Sequence, residues 1–261
     1  MPTKKKKIKR IIKRIKRKRI INKMLTITIL AAGEGKRMRS TIPKVLHLFR
    51  GKPMLVRIIE TSKELGANKI IIVTGKYDEL IKSTISKYMD IENLIFVQQS
   101  SPMGTGDAIK SCLPAYGDDE KILILNGDMP LINKDILEKF IEHREPMTIL
   151  VARFSNPYGY GRILFDDTDE FIGIIEEKDC TEEQKGISII NSGLYYIDAN
   201  LLLKYVPMIE NHNAQHEYYL TDIVKIIKTH EKISIKTHLI SEEENKYISG
   251  VNTPEELAEL E

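Results

Sequence analysis

Two glycines and three cations mark the first stretch of this chain able to do chemistry. The string Leu30-Ala31-Ala32-Gly33-Glu34-Gly35-Lys36-Arg37-Met38 follows an apolar run, Leu25–Leu30, and Ile42-Pro43-Lys44-Val45-Leu46 comes just after it. Glycine carries no Cβ to hold a ligand off, so the backbone N–H groups of such a loop can close on a phosphate. Arg37 and Lys44 add positive charge where a polyphosphate would lie. The spacing is not that of a Walker loop, which needs Gly-Lys-Ser/Thr after four spacer residues. Nor is it the dinucleotide fingerprint, whose third glycine is absent. A lone G-x-G also reads as a surface glycine turn with solvated cations.

Three more segments carry candidate chemistry. Asn126-Gly127-Asp128-Met129-Pro130 follows the apolar run Lys121–Leu125. An aspartate at a strand's carboxyl end suits a hard cation such as Mg2+, and equally suits a Gly/Pro turn capping a helix from Asn133. Gly250-Val251-Asn252 precedes Thr253-Pro254-Glu255-Glu256. There Thr253 reads as a helix N-cap, Pro254 as the first helical residue and Glu256 as the far half of a capping box. Gln98-Gln99-Ser100-Ser101-Pro102-Met103-Gly104-Thr105-Gly106-Asp107-Ala108 joins a strand-like run to a helix-like one. An amide side chain can donate and accept, as reading a pyrimidine edge requires. A glycine pair at a helix start lets backbone amides approach a base or phosphate.

The elements that must position these residues alternate. Strand-like runs at Leu25–Leu30, Lys69–Thr74, Leu94–Val97 and Lys121–Leu125 are separated by helix-like stretches at Met54–Leu65, Glu79–Tyr88 and Gly106–Leu113. Apolar strands between helices predict a parallel sheet covered on both faces, with ligands at the strands' carboxyl ends. After residue 147 the texture changes. Short β-like pieces at Met147–Val151, Gly161–Phe165, Phe171–Ile175 and Ile189–Ile197 predict added antiparallel strands that cover a second substrate. The fold class expected is therefore α/β, a Rossmann-like mostly parallel sheet flanked by helices.

Composition narrows the classes. A chain of 261 residues with 42% hydrophobic content can bury one large α/β core. Cys112 and Cys180 are too few for a disulfide framework or a cysteine zinc site and fit a reducing, cytoplasmic setting. The apolar runs are strand-length, short of a membrane span, and no signal-peptide core stands near the N-terminus. The net charge of +3 hides an asymmetry: residues 1–23 hold 13 of the 40 Lys and Arg and no acid. The remainder carries 27 basic against 37 acidic residues, a net of −10. Two domains follow, a basic extension over 1–23 and a catalytic domain over 24–261. In the extension Ile8, Ile11, Ile12 and Ile15 recur at helical spacing. Three readings stay open for it: a solvated extension, an amphipathic helix on an anionic surface such as nucleic acid or membrane, or untranslated sequence ahead of a start at Met24.

Taken in order, these segments resemble the sugar-nucleotide pyrophosphorylases, whose loop signature is L-x-x-G-x-G-T-x-M…P-K. The resemblance runs from about Leu25 to Asn252. It is nearest the uridylyltransferase domain of the bacterial bifunctional N-acetylglucosamine-1-phosphate uridylyltransferase/acetyltransferases. It implies that Ala31, Ala32, Gly33 and Gly35 hold the triphosphate with Arg37, and that Lys44 neutralises charge on the α-phosphate. It implies Gln99, Gly104 and Thr105 as the base-reading segment, and Asp128 with Asn252 as the ligands of one Mg2+. Tyr158-Gly159-Tyr160-Gly161-Arg162 resembles the family's G-Y-G-R, Glu176 falls in its V-E-x-K-D and Asn191 in its I-N-T-G. Tyr219 and Thr221 fall in its E-Y-Y-x-T-D; all of these imply a sugar side made of Gly161, Glu176, Asn191, Tyr219 and Thr221. The chain departs from the pattern at Lys36 (usually Thr), Asp107 (often His) and His216 (commonly Gly).

The resemblance thus implies transfer of a uridylyl group from UTP to a hexosamine 1-phosphate, giving UDP-N-acetylglucosamine and pyrophosphate, with no nucleophilic side chain. The hexapeptide-repeat domain that carries acetyl transfer and trimerisation in those relatives is not expected. Two alternatives are a pyrophosphorylase for another sugar 1-phosphate or base, such as one making UDP-glucose, and a non-catalytic binding protein tethered by its basic tail.

Overall fold

The computed structural model describes residues 24–261, so the three readings of segment 1–23 lie outside the described residues. The four predicted strands of the first half form as β1 (Leu25–Leu30), β2 (Lys69–Thr74), β3 (Leu94–Gln98) and β4 (Lys121–Asn126). The order is β4-β1-β2-β3, all parallel. Neighbouring residues along a strand point to opposite faces, and both faces here are covered. In β2, Ile70 and Ile72 join one core cluster while Ile71 and Val73 join the other. Helices α1 (Met54–Glu64) and α4 (Lys134–Ile141) pack in the first cluster, and α3 (Thr105–Cys112) in the second; α2 (Asp78–Ile85) sends Ile81 and Ile85 into the first. Each fully buried Ile or Leu contributes about 1.5–3 kcal/mol. Two threonines inside β1 stay satisfied: Thr26 donates to Glu120 at 2.7 Å and Thr28 pairs with the Tyr116 hydroxyl at 2.8 Å.

The second half adds β5 (Met147–Arg153), β6 (Arg162–Phe165), β7 (Phe171–Ile175), β8 (Ile189–Asp198) and β9 (Ile235–Leu239). As expected from the sequence, β8 is antiparallel to β4, β5 and β6, and β6 to β7. The strand β9 was not anticipated; it pairs in parallel with β5 at the sheet's far edge. Its sequence, IKTHL, is too short and polar to announce itself. Helices α5 (Glu182–Lys185), α6 (Ala199–Tyr205), α7 (Asp222–His230), α8 (Asn245–Ile248) and α9 (Pro254–Leu260) complete this half. No helix among the described residues is long and apolar enough to cross a membrane.

Register decides where the site can be. Leu30 at the end of β1 lies opposite Asn126 at the end of β4, and Thr74 at the end of β2 opposite Gln98 at the end of β3. The glycine loop, the Gln99 segment and the Asp128 turn therefore leave the sheet along one edge. A parallel sheet gathers its strand ends in this way, and the ligand crevice lies there.

Candidate functional site

The loop after β1 is shaped by close approach. Gly35 sits at φ +63°, and a Cβ there would come 2.5 Å from the Cβ of Lys44. Gly33 differs, because a Cβ on it meets nothing within 4 Å, so its surroundings are open. Ala31 is buried, and its N–H donates to the Val73 carbonyl at 2.9 Å, tying the loop's root to β2. Lys36 is exposed and pairs at 3.6 Å with Glu34, which also meets Lys76 at 2.6 Å. Arg37 extends from the same turn and lines the larger cavity described below.

Lys44 is the hub. Pro43 opens a single helical turn over Lys44–Leu46, in which Val45 and Leu46 are buried and anchor the backbone. The ammonium donates to Asp128 Oδ2 at 2.5 Å and to Asn252 Oδ1 at 2.9 Å, from positions 84 and 208 residues away in sequence. All three groups are shielded or partly shielded, so the contacts weigh more than at an open surface. Two glycines allow the convergence. A Cβ on Gly127 would lie 2.8 Å from the Leu30 carbonyl, and one on Gly250 would lie 3.3 Å from the Asp128 carboxylate. The fully buried Val251 donates its N–H to the Asp128 carbonyl at 2.9 Å, docking the Asn252 segment against the β4 turn.

The expected capping box after Asn252 is built differently. Thr253 caps α9 by accepting from Glu256 N–H at 3.1 Å, but the Glu256 carboxylate accepts from the N–H of Asn252 at 2.6 Å, one residue further back. The reciprocal bond thus holds the residue that meets Lys44 instead of the cap itself.

The donor chemistry at this hub suits a hard divalent cation. A carboxylate oxygen and an amide oxygen converge on one positive centre, here the Lys44 ammonium. Among the described residues no cluster of three or more His, Cys, Asp or Glu could hold a metal unaided. Mg2+ is commonly bound by one or two protein oxygens, with substrate phosphates and water completing the shell, and Asp128 with Asn252 fit that pattern.

Two cavities meet at the hub. The smaller, about 310 Å³, is lined by Ala32, Gly33, Lys44, Gln99, Gly104 and Thr105 among others. The larger, about 680 Å³, is lined by Arg37, Gly161, Glu176, Asn191, Thr221 and Asn252 among others. Asp128, Asn126 and Thr105 line both. Asn126, quoted in the sequence without a role of its own, stands directly before Gly127-Asp128; its amide donates to the Ser192 carbonyl at 3.2 Å. Tyr160, quoted in the sequence only as part of the Gly-Tyr-Gly-Arg string, also lines the larger cavity. Burial, with the Asp128 carboxylate nearby, pushes its phenol above the usual range.

The glycine pair at the start of α3 makes room for the backbone of a distant segment. Gly104 is at φ +105°, and a Cβ on it would lie 2.6 Å from the Tyr218 carbonyl oxygen; one on Gly106 would lie 2.8 Å from the same atom. Tyr218 N–H donates to Met103, and Gly106 N–H to Tyr218, both at 2.7 Å. Thr105 Oγ1 accepts from Leu220 N–H at 3.0 Å. The pair therefore forms a seam joining the smaller cavity's wall to the 217–221 segment, whose Leu220 and Thr221 line the larger cavity.

On the far side, Thr221 donates to Glu176 at 2.9 Å. Burial pushes the Glu176 carboxyl upward, and the charges of Asp222, Asp179 and Glu217 add to the shift. Asn191 is turned inward: its amide donates to the Tyr195 hydroxyl at 2.7 Å and accepts from Gly193 N–H at 3.1 Å. Tyr219 is buried, and it lines neither cavity. Arg162, 1% exposed, forms an ion pair with Glu177 at 2.7 Å and donates to the Tyr160 carbonyl, holding the Gly-Tyr-Gly turn. Burial pushes the Cys112 thiol up to about 12, far from a nucleophile's range.

A family model described as the MobA-like NTP transferase domain matches residues 27–187. A "probable UDP-N-acetylglucosamine pyrophosphorylase" of Acanthamoeba polyphaga mimivirus is 40% identical over 246 residues, covering 92% of this chain and 96% of the viral protein. The bifunctional protein GlmU of a Sulfurovum species is 41% identical over 239 residues, covering 91% of this chain and 53% of its own length. The chain spans about half the length of the bifunctional relatives it matches. Among solved structures, HddC from Yersinia pseudotuberculosis complexed with GMP-PN superposes with a TM-score of 0.63 at 23% identity, covering 90% of this chain and 97% of that one. A UDP-glucose pyrophosphorylase complexed with UDP-glucose gives 0.65 at 18%, covering 82% and 89%. At such identities the structural likeness is one of fold.

Proposed function

This chain belongs to the MobA-like NTP transferase family, and on that premise we propose that it transfers a uridylyl group from UTP to N-acetylglucosamine 1-phosphate, releasing pyrophosphate. The observation that carries the reading is the meeting of Lys44, Asp128 and Asn252 where the two cavities join. The uridine half of UTP occupies the smaller cavity, with the Gln99 amide beside the base and the triphosphate along Ala32–Arg37. The sugar phosphate occupies the larger cavity, with Glu176 and Thr221 facing its hydroxyls. The sugar's phosphate oxygen then attacks the α-phosphorus in line, and pyrophosphate leaves toward Arg37.

The protein's share of this chemistry is positioning and charge neutralisation. Lys44 turns its ammonium to the α-phosphate, where negative charge builds. Asp128 and Asn252 would hold Mg2+, which supplies neutralisation of the phosphate oxygens when bound. Glu256, through Asn252 N–H, keeps that amide in place. The identity of the relatives supports the uridine and N-acetylglucosamine choice; the geometry supports a nucleotidyl transfer.

The test is a panel of nucleoside triphosphates and sugar 1-phosphates, read by pyrophosphate release with Mg2+. UTP with N-acetylglucosamine 1-phosphate is the expected best pair. Asp128→Ala is expected to lose roughly 10²–10³ in rate with the fold retained, as read by circular dichroism. Wild-type rates in that variant at saturating Mg2+, or no pyrophosphate release with any pair, would sink the reading.

A further inference from the structure

Asp107 stands in the first turn of α3, and its carboxylate accepts a hydrogen bond from the Gln99 side-chain amide. The same amide nitrogen faces the Gly104 carbonyl at 3.5 Å. Gln99 is 3% exposed, and its own N–H donates to the Thr74 carbonyl at 2.7 Å, so the residue is held at both ends. A carboxylate and a backbone carbonyl accept and cannot donate. The end of the amide turned toward them must therefore be its NH2. The carbonyl oxygen Oε1 is the end left over, and no donor among the described residues reaches it. Gln99 lines the smaller cavity, so what it offers a ligand there is an acceptor.

We propose that Asp107 is a positioning residue that locks the Gln99 amide in one sense and thereby selects triphosphates whose base presents a ring N–H. The inference rests on the uridylyltransferase reading and adds to it the residue that sets the base class. Uracil and thymine carry a donor at N3. Cytosine, nearly the same shape as uracil, carries a lone pair at N3 and would face Oε1 acceptor to acceptor. A free glutamine can turn over and serve either base; a glutamine fixed by a carboxylate cannot. An asparagine in place of Asp107 could present its own NH2 or its own oxygen, and so would release the lock.

The experiment compares kcat/KM for UTP, dTTP and CTP in the wild type, Asp107→Asn and Asp107→Ala, at fixed Mg2+ and sugar phosphate. Wild type is expected to favour UTP over CTP by at least 10- to 100-fold, the weight of one mismatched buried hydrogen bond. In Asp107→Asn that ratio is expected to fall about tenfold or more. The change should lie in the nucleotide KM, with the sugar phosphate KM unmoved. Asp107→Ala keeps a good helix former in α3 and should lose selectivity in the same direction, which guards against a folding defect in one variant. Loss of a charge at the helix start alone would lower both nucleotides together and leave the ratio unchanged; that result overturns the assignment while leaving the uridylyltransferase reading in place. A wild type that uses no pyrimidine triphosphate removes that reading and this inference with it.

Discussion

Replacing Gly104 by alanine should unfold the seam between the two cavities, whereas the same change at Gly33 should leave the fold alone. Gly104 has φ +105° and ψ 176°, a region that residues with a Cβ essentially never enter. Forcing alanine there costs about 1–3 kcal/mol in backbone strain. The new Cβ would also lie 2.6 Å from the Tyr218 carbonyl oxygen and 3.0 Å from the Tyr218 nitrogen and the Glu217 Cβ. Two of these are backbone atoms, which cannot swing aside as a long side chain does. Displacing them loosens the two 2.7 Å bonds that join Tyr218 to Met103 and Gly106, each contributing about 0.5–1.5 kcal/mol. The total is about 2–6 kcal/mol, which for a domain of this size lowers Tm by roughly 4–24 °C. Gly33 has no left-handed φ, and a Cβ there meets nothing within 4 Å, so Gly33→Ala should stay within about 0.5 kcal/mol of wild type. Its effect should instead be a raised nucleotide KM, because the proposed triphosphate path runs along the open face of the loop. Thermal unfolding by circular dichroism, paired with steady-state kinetics, separates the two. If Gly104→Ala melts within a degree of wild type, or Gly33→Ala proves the less stable of the two, the seam is misread.

Three further outcomes follow from the same geometry. Glu256→Ala frees the N–H of Asn252 and should raise the Mg2+ concentration needed for half-maximal rate several-fold, with little change in Tm; an unchanged Mg2+ titration would remove Glu256 from the site. Glu177→Ala leaves the guanidinium of the 1% exposed Arg162 without its carboxylate, and urea unfolding should report a loss of about 3–5 kcal/mol. Burial, with the adjacent His143 and Lys139, holds the His238 imidazole below its ordinary value of 6.5 against the pull of Glu244, while its Nδ1 pairs with His143 Nε2 at 2.8 Å. The unfolded chain then binds the extra proton between that lowered value and 6.5, so stability should rise with pH through that window and fall as pH drops below about 6.5. Urea midpoints across pH 5–7.5 should show that slope, and His238→Gln should flatten it.

Much of this protein was legible before any coordinates. The β2 and β4 runs are apolar on both faces, and that pattern points to a parallel sheet covered twice; Ile70 and Ile72 facing one core and Ile71 and Val73 the other is its direct consequence. The candidate phosphate loop could be singled out as well, because glycine spacing and isolated cations are local properties of a sequence. The polar β9 strand was not, since its placement depends on β5 being there to pair with it. The resemblance implied that Asp128 and Asn252 come together, but not that Lys44 donates to both across 84 and 208 residues, which spacing alone cannot express. The close approach at Gly104 and Gly106 was not visible in the sequence either; the Tyr218 backbone that would meet a Cβ at both belongs to a segment more than a hundred residues away. Asp107 and Glu256 tell the same story at shorter range: each looks like a helix-start carboxylate in sequence, and in the fold each is spent on a neighbouring site side chain or backbone. Local sequence determines which groups are present and which elements carry them. Only tertiary packing, by bringing acceptors and donors from distant elements within 3 Å, decides which of those groups are held for one another and which remain to meet a ligand.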